Sequence, residues 1–433
     1  MKPVLQLALD FVDLKRALKV AHEAVAGGVD WLEAGTPLIK SEGLDAVRAL
    51  RREFPGQTIV ADMKVMDAGR IEVESAAKAG ADIVDVLGAA SDATIKECIE
   101  AGKNYGAKIV IDTIAMDEVV KRAREIEEMG ADYVSVHIPI DDQMLGVISF
   151  AKVTEVARAV RIPIAIAGGI NSETAAGAVS AGASIIIVGG AINKSSDATR
   201  AAREIKQGMT TGKKKKTHLY KRAILPDIRK IFEMVSTANL SDALHRSGNL
   251  EGLILITPGA KMIGPAVTVR TYPGDWAKSV EAIDIAETAD VIVIDAGGVG
   301  PAVWGELATH SAIQKKLSGV LIDGAIRDVA EIRKLGFPAF AKIVTPTAGE
   351  PKGFGEIGVP VKVGGVRINP GDWIVGDDDG VLLIPEKKVV EIANRAMDVL
   401  EKENRVREEI ERGETLSSVA ELLRWEKHKT IDH

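Results

Sequence analysis

The sequence predicts an α/β protein with an N-terminal (β/α)8 TIM barrel and a separate C-terminal α/β domain. Short apolar segments alternate with amphipathic helices eight times between Pro3 and Gln207, which is the pattern of a closed barrel of parallel strands. Aromatic residues make up only 4% of the 433 residues, as expected where small aliphatic side chains fill parallel sheets. A lysine-rich stretch then interrupts the alternation, and a new set of strands follows it.

The predicted barrel strands are short and evenly spaced. They are Val4–Leu9, Trp31–Ala34, Thr58–Lys64, Ile83–Leu87, Lys108–Ile111, Tyr133–His137, Ile164–Ala167 and Ser184–Val188. Gly28, Gly80 and Gly130 each stand two residues before an aspartate that precedes a strand, which is typical of glycine-capped helix ends. A doubly wound open sheet is the alternative, but eight evenly spaced units favour closure.

The domain boundaries follow from the lysine-rich stretch. We expect the barrel to span residues 1–208, a linker to span 209–222, and the second domain to span 223–433 with a charged helical tail. Four consecutive lysines at 213–216 repel one another and stay solvated, which favours a flexible linker over an RNA or membrane contact. In the second domain, strands alternate with helices at first, and its later half is rich in short strands.

Composition and charge exclude several functional classes. The net charge of −7 argues against broad nucleic-acid binding. Cys98 is the only cysteine, so an internal disulfide is excluded, and its helical setting predicts a packed thiol. No apolar run approaches ~18 residues, so we expect no membrane span. The N-terminus enters a strand without a signal peptide, and the expectation is a soluble cytoplasmic protein.

Polar side chains gather at the predicted carboxyl ends of the barrel strands, where such barrels carry their active sites. They are Asp10, Glu33, Asp62, Lys64, Asp85, Asp112 and His137. Asp62 and Lys64 are two residues apart and share one strand face; a structural ion pair closing the barrel mouth is the alternative interpretation. Several neighbouring carboxylates raise one another's pKa unless a cation is present. This set therefore indicates Lys64 and a divalent metal, Mg2+ or Mn2+, as partners.

Two glycine pairs follow the seventh and eighth strands, at Gly168-Gly169 and Gly189-Gly190. Many barrels bind a phosphate at this position through backbone N–H groups. Glycine lets a ligand approach the backbone closely. The two pairs together predict a phosphate-binding site.

The barrel half resembles the orotidine-monophosphate-decarboxylase superfamily, and most specifically the 3-hexulose-6-phosphate synthase family. The motifs that carry this resemblance are Asp62-x-Lys64-x-x-Asp67, Leu5-Gln6-Leu7-Ala8-Leu9-Asp10, Glu33-Ala34-Gly35-Thr36-Pro37, Ala167-Gly168-Gly169-Ile170-Asn171 and Val188-Gly189-Gly190-Ala191-Ile192. The resemblance implies that Glu33 and Asp62 hold Mg2+, and that Asp67 enters the neighbouring subunit's site in a dimer. One departure is Ile138-Pro139-Ile140, which puts the shape of the loop after His137 in doubt.

The resemblance implies a lyase that condenses D-ribulose 5-phosphate with formaldehyde to 3-hexulose 6-phosphate, reversibly. Asp10, Asp62, Lys64, Asp67 and His137 are the expected catalytic residues, with His137 as proton carrier. The alternative is a sister decarboxylase acting on 3-keto-L-gulonate 6-phosphate. That family carries an arginine where this chain has Gly190, which favours the synthase.

In the second half, Gly297 and Gly298 follow a buried strand and could bind an anion. Arg327 offers a fork for a carboxylate, and Asp328 could hold a metal; a surface Arg-Asp pair at a helix start is the alternative. With Glu306 twenty-one residues before Arg327, the stretch resembles the family of regulator of ribonuclease activity A and class II 4-hydroxy-4-methyl-2-oxoglutarate aldolases. The strings Ser241-Asp242-Ala243-Leu244 and Asn369-Pro370-Gly371-Asp372-Trp373 agree.

This second resemblance implies a swivelling β/β/α fold and a trimer or hexamer. It implies a metal at Glu306 and Asp328, and a 2-oxo acid bound by Gly297, Gly298, Glu306, Leu307 and Arg327. Aldolase members carry an acidic residue at the Glu306 position, whereas the non-catalytic regulator has glycine there. An enzyme is therefore expected, and a non-catalytic protein-binding domain is the alternative.

Overall fold

The computed structural model describes residues 2–139, 143–144, 150–217 and 227–420. The chain divides into two compact units. Unit 1 contains the described residues of Met1–Gln143, Val147–Lys221 and Glu401–His433; unit 2 contains those of Met144–Gly146 and Arg222–Leu400. Within the described ranges, no helix has the length and apolar character needed to cross a membrane.

Unit 1 is a closed barrel of eight parallel strands. The strands are β1 (Val4–Leu9), β2 (Trp31–Ala34), β3 (Thr58–Val65), β4 (Ile83–Leu87), β5 (Lys108–Asp112), β6 (Tyr133–His137), β7 (Ile164–Ala167) and β8 (Ile185–Val188). Each strand pairs with the next, and β8 pairs with β1 through Ile185 and Val4. The predicted TIM barrel is confirmed, and an open doubly wound sheet is excluded.

The helices of unit 1 surround the barrel. They are α1 (Leu14–Ala26), α2 (Thr36–Glu42), α3 (Asp45–Glu53), α4 (Gly69–Ala79), α5 (Asp92–Tyr105), α6 (Val119–Met129), α7 (Ala151–Ala159), α8 (Ala175–Ser180), α9 (Gly190–Asn193) and α10 (Ala198–Thr211). Gly80 and Gly130 end α4 and α6 in the left-handed conformation, as predicted. Cys98 is buried in α5, and this burial raises the pKa of its thiol to about 12.

The interior of the barrel explains why charges reach its mouth. Side chains on a strand alternate between its two faces. Val60, Ile83 and Val110 form part of an apolar layer inside the barrel. Two residues further along the same strands stand Asp62, Asp85 and Asp112, which therefore point to the same side at the strands' carboxyl ends.

The predicted linker differs from the structure at its first residues. Helix α10 continues to Thr211, and Met209 is buried. The four lysines at 213–216 are exposed, in agreement with a solvated stretch. The backbone is nevertheless anchored, because Lys215 N donates to Ser172 O at 3.1 Å and Thr217 N donates to Glu173 Oε1 at 3.1 Å. Residues 218–222 of the predicted linker lie outside the described residues.

Unit 2 is built on a mixed sheet. Its strands are β9 (Ile254–Leu255), β10 (Met262–Thr271), β11 (Val291–Asp295), β12 (Ala302–Trp304), β13 (Gly319–Ile326), β14 (Ala339–Val344), β15 (Gly355–Ile357), β16 (Val361–Val363), β17 (Val366–Ile368), β18 (Trp373–Asp377) and β19 (Gly380–Ile384). The main sheet runs β19-β18-β10-β11-β13-β14-β9, with β10, β11, β13 and β14 parallel.

The helices after unit 1's barrel are α11 (Ile228–Met234), α12 (Thr237–Ala243), α13 (Ala277–Ile285), α14 (Glu306–Gln314), α15 (Val329–Leu335), α16 (Val389–Glu411) and α17 (Leu416–Val419). The sequence-based boundary placed the whole tail in the second domain, whereas residues 401–420 belong to unit 1. The reason is that Arg405 and Glu409 of this charged segment are each only 2% exposed there.

Candidate active sites

The mouth of the barrel contains a lysine surrounded by carboxylates. Lys64 Nζ lies 2.5 Å from Asp62 Oδ1, 3.0 Å from Asp112 Oδ2 and 3.8 Å from Asp85 Oδ1. Burial by itself would lower the pKa of Lys64, but the three carboxylates raise it well above its ordinary value. Lys64 therefore stays charged and holds together side chains from β3, β4 and β5.

The backbone at Lys64 is strained. Its φ is +50°, which is uncommon for a residue other than glycine and costs on the order of 1–3 kcal/mol. The pairing of β3 with β4 is irregular between Ala61 and Val65. Asp62 is fixed separately, because Thr36 donates to its Oδ2 from Oγ1 at 2.6 Å and from N at 3.2 Å. The irregular strand end thus presents both Asp62 and Lys64 to the mouth.

A buried aspartate orients the candidate proton carrier. His137 Nδ1 lies 2.9 Å from Asp112 Oδ2, and Ile114 N donates to Asp112 Oδ1 at 2.9 Å. Burial would raise the pKa of Asp112, but its contacts with His137 and Lys64 outweigh burial and lower it. A charged Asp112 favours the His137 tautomer with a proton on Nδ1, which leaves Nε2 to exchange a proton.

Three further carboxyl groups lie at the same mouth. Burial, with Asp62 and Asp10 nearby, raises the pKa of Glu33 to about 8. Burial also raises the pKa of Asp85 well above its ordinary range. Asp10 is exposed at the mouth, but many protein atoms surround its carboxyl group. The resulting desolvation is the largest cause that raises its pKa, and the negative charge of Asp62 is the next. Lys64 alone therefore does not keep all of these carboxyl groups ionised, and they retain their protons to a higher pH than free carboxyl groups do.

The side chains at the mouth fit a divalent cation. Carboxylate oxygens are the donors that Mg2+ prefers, and Asp85 Oδ1 is buried without a hydrogen-bond partner. A cation beside Glu33 and Asp62 would favour their ionised forms. In the described part of the chain, no three His, Cys, Asp or Glu side chains already form a preassembled metal site. Waters and substrate oxygens would therefore complete the coordination.

The predicted phosphate-binding glycines lie at the ends of β7 and β8. Gly168 and Gly169 have φ of +100° and +71°. A Cβ on Gly168 would lie 2.4 Å from Ile138 O, so only glycine fits beside the loop that follows β6. Gly189 and Gly190 lie at the start of α9, and a Cβ on Gly189 would lie 3.0 Å from Asp10 Oδ2. The glycines therefore adjoin the carboxylate cluster.

Two residues beside the mouth carboxylates, Lys194 and Gln6, were not predicted from the sequence. One predicted catalytic residue, Asp67, lies apart from them. Lys194 was not predicted, although its positive charge partly offsets the rise in the pKa of Asp10. Lys194 Nζ would lie 3.3 Å from a Cβ on Gly190. Gln6 Nε2 donates to Glu33 Oε2. Gln6 stands two residues after Val4 and therefore shares its strand face, and this spacing could have predicted its inward position. Asp67 is exposed on the turn before α4, where its Oδ1 accepts from Ala68 N at 2.7 Å.

The predicted residues of unit 2 form a looser group around the start of α14. Asp328 Oδ2 accepts from Glu306 N at 3.2 Å and lies 3.4 Å from Arg327 Nε. His310 Nε2 lies 3.5 Å from Glu306 Oε1. Leu307 is 81% exposed. Glu306 and Asp328 supply only two carboxylates, so a metal there would need substrate oxygens and waters as further ligands.

The glycine loop of unit 2 lies at the end of β11. Gly297 and Gly298 have φ of +74° and +73°. A Cβ on Gly298 would lie 2.6 Å from Lys342 Nζ, and Lys342 Nζ lies 3.2 Å from Asp323 Oδ1. Lys342 and Asp323 were not predicted, although both occupy strands that end at this edge of the sheet.

Comparison with known proteins finds a sequence match for each half of the chain. A sequence model described as orotidine 5'-phosphate decarboxylase / HUMPS family matches residues 3–205, and one described as Aldolase/RraA matches residues 237–383. The 3-hexulose-6-phosphate synthase of Bacillus subtilis (strain 168) is 40% identical over 209 residues, which are 48% of this chain and 99% of that protein. The Mycobacterium gastri synthase is 37% identical over 202 residues, 47% of this chain and 97% of that protein.

Similar chains are also found among solved structures. A 3-hexulose-6-phosphate synthase from Salmonella typhimurium is 37% identical, with a TM-score of 0.47, over 49% of this chain and 100% of that chain. The RNA-processing inhibitor RraA from Thermus thermophilis is 32% identical, with a TM-score of 0.33, over 35% of this chain and 93% of that chain. The chain therefore belongs, through its first half, to the orotidine 5'-phosphate decarboxylase / HUMPS family, with 3-hexulose-6-phosphate synthases as relatives, and carries an RraA-like domain in its second half.

Proposed function

We propose that unit 1 catalyses the reversible aldol condensation of D-ribulose 5-phosphate with formaldehyde to 3-hexulose 6-phosphate, with Mg2+ or Mn2+. The observation that carries the proposal is Lys64 held among Asp62, Asp85 and Asp112, beside a histidine oriented by Asp112. Related proteins named 3-hexulose-6-phosphate synthase support the substrate assignment.

The chemistry requires a proton to leave C1 of the ketose, so that C1 can bond to the formaldehyde carbon. His137 Nε2 takes that proton, while the Asp112 contact keeps Nδ1–H in place. The negative charge that develops on the ketose oxygens is stabilised by the ammonium of Lys64. The bond to C1 turns the formaldehyde oxygen into an alkoxide, which takes the proton back from His137 Nε2. A divalent metal held by Glu33 and Asp62 would supply further electrostatic stabilisation of the ene-diolate.

The glycine pairs after β7 and β8 are the proposed phosphate site. The backbone of Gly189 lies beside Asp10, which supports a phosphate site at one side of the carboxylate cluster. Binding of this non-reacting group orients the ketose for proton removal. In the proposed dimer, Asp67, which is exposed in its own chain, reaches the partner's mouth.

The test is an assay of the purified full chain. Ribulose 5-phosphate should be consumed only when formaldehyde is present, and EDTA should stop the reaction until Mg2+ or Mn2+ is restored. The alternative, a decarboxylase of the 3-keto-L-gulonate-6-phosphate type, predicts release of carbon dioxide from that substrate and no dependence on formaldehyde. The reverse reaction is measured as formaldehyde released from 3-hexulose 6-phosphate.

For unit 2 we propose a divalent-metal lyase acting on 2-oxo acids. Arg327 would bind the substrate carboxylate, and Glu306 and Asp328 would place the metal against the 2-oxo group. The support is that Glu306, Arg327 and Asp328 meet at the start of α14. The assay is decarboxylation of oxaloacetate by the full chain with Mg2+ or Mn2+. A rate equal to the metal-only background favours the alternative, a binding domain like the RNA-processing inhibitor it resembles.

A further inference from the structure

The C-terminal segment, residues 401–420, adds a buried ion-pair network to unit 1. Arg405 is one of its largest fully buried side chains, and Glu409 is also buried. The Bacillus subtilis relative is matched over 99% of its length within 209 residues, which are 48% of this chain. That relative therefore leaves no length for a counterpart of this segment.

The guanidinium of Arg405 joins three parts of unit 1. Its Nε donates to Glu409 Oε1 at 2.7 Å, and its Nη2 donates to Glu23 Oε1 of α1 at 3.0 Å. Its Nη1 donates to the backbone oxygen of Ser195 at 2.6 Å. Arg16 Nη2, also in α1, lies 3.6 Å from Glu409 Oε2. Each charge of the network therefore has an opposite charge beside it.

The burial of this arginine is compensated. Desolvation lowers the pKa of Arg405, but Glu23 and Glu409 outweigh it and raise the pKa above its ordinary value. A buried ion pair is weak evidence for stability, since well-packed apolar side chains often stabilise as much. The specific contribution of Arg405 is geometric, because a planar guanidinium with fixed partners holds the Ser195 carbonyl in one place.

Ser195 belongs to the loop between α9 and α10, and α9 is a helix of four residues that begins at Gly190. A second arginine of the segment, Arg412, donates from Nη2 to the next carbonyl, Ser196 O, at 3.1 Å. On the other side of the loop, Asn193 Nδ2 donates to Ala8 O of β1 at 2.8 Å. The C-terminal segment thus contacts the loop that follows α9, and the first residue of α9, Gly190, is one of the candidate phosphate-binding glycines.

We propose that Arg405 is a positioning residue for the substrate's phosphate, acting through Ser195. This inference rests on the proposed function of unit 1. Lys64 and the carboxylates of Glu33, Asp62, Asp85 and Asp112 lie on β2 to β5, away from this loop, whereas the candidate phosphate-binding Gly189 and Gly190 lie at the start of the helix that precedes it. Loss of Arg405 therefore weakens phosphate binding and leaves the chemical step nearly intact.

The experiment compares Arg405→Met with Arg407→Met in the full chain. Arg407 lies on the same helix, but its side chain is 57% exposed and its ion pair with Glu403 is on the surface. We expect Arg405→Met to raise the KM for ribulose 5-phosphate about tenfold, short of the ~10²-fold that a 1 Å misplacement can cost. The inhibition constant of inorganic phosphate should rise in parallel, with kcat changed less than about threefold, and Arg405→Lys should recover part of the loss.

Unchanged KM and phosphate inhibition in Arg405→Met, or equal shifts in Arg407→Met, would overturn the proposal. If Arg405→Met does not fold, Arg412→Met decides, because its side chain is 57% exposed and its loss spares the buried network. A smaller rise in KM supports the proposal, and no rise overturns it. A wild-type chain without synthase activity that still binds inorganic phosphate, more weakly after Arg405→Met, would refute the proposed reaction and support the positioning role.

Discussion

The barrel mouth and the candidate site of unit 2 both pair acids with bases, but they differ in burial. In the mouth, the side chains of Lys64 and Asp112 are 20% and 1% exposed. In unit 2, those of Arg327 and Asp328 are 42% and 38% exposed. Solvent screens the exposed pair, whose energy is near zero, whereas a buried charge depends on its partner. The geometry of the mouth is therefore held by its charges, and that of unit 2 by its backbone.

The strongest test of this contrast is Lys64→Met. It leaves Asp62, Asp85 and Asp112 without their shared cation, so we expect the free energy of unfolding of unit 1 to fall by about 3–5 kcal/mol. Synthase activity should fall at least ~10²-fold, because a charge that stabilises the transition state is lost. Hydrogen exchange of the barrel strands measures the first effect, and formaldehyde-dependent ribulose 5-phosphate consumption the second.

Arg48→Met is the matched control for Lys64→Met. Arg48 pairs with Asp45 on the surface, where the two side chains are 54% and 77% exposed. It should change the free energy of unfolding by less than about 1 kcal/mol. If Lys64→Met also changes the free energy of unfolding by less than about 1 kcal/mol, the charge of Lys64 does not hold the carboxylates in place.

The second test uses the raised pKa of Glu33. Its folded-state pKa is about 8 against an ordinary 4.5, so between these pH values the folded state binds more protons than the unfolded state. Stability therefore decreases as pH rises from about 4.5 to about 8. Without metal, Glu33→Gln should lose less stability across this window than the wild type, as measured by hydrogen exchange of β2.

Metal addition sharpens the second test. At pH 8 and above, Mg2+ should stabilise the wild type and have less effect on Glu33→Gln, because the variant lacks one proposed ligand. Equal pH profiles for the two proteins would mean that Glu33 ionises freely in the folded state. If Mg2+ stabilises the wild type and Glu33→Gln equally, Glu33 is not a ligand of the metal.

The third test concerns Asp67, the one predicted catalytic residue that is exposed in its own chain. Asp62→Ala and Asp67→Ala should each be inactive alone. After subunit exchange, each mixed dimer has one intact site, so activity should recover to about a quarter of wild type for random pairing in a two-fold dimer. Exchange is verified with differently tagged subunits, and no recovery after verified exchange rules out a shared site.

The smallest expected effect on stability is that of Arg327→Ala. Its exposed ion pair contributes less than about 1 kcal/mol, yet oxaloacetate decarboxylation should fall to the metal-only background. Arg367→Ala, at another exposed arginine of unit 2, should retain the activity. If Arg327→Ala lowers the free energy of unfolding by several kcal/mol, Arg327 stabilises the fold of unit 2. The two sites then do not differ in how much their charges stabilise them.

The closed barrel and the location of its mouth follow from the amino-acid pattern alone. Strand periodicity and glycine-capped helices specify the alternation, and the carboxyl ends of parallel strands converge whatever the side chains are. Asp62, Lys64 and His137 could therefore be predicted as neighbours from their positions at strand ends. The two family resemblances, carried by strings such as Gly189-Gly190, extended the prediction to both halves.

Which charges pair with one another depends on contacts between distant parts of the chain. Asp112 stands at a strand end like Asp85, but its contact with His137 depends on the register of β5 against β6. The place of Arg405 and Glu409 could not be read from their neighbours in sequence, because a charged helix is ordinarily solvated. Burial against α1 is a long-range contact, between Glu23 and Arg405, and local sequence patterns carry no information about partners 382 residues apart.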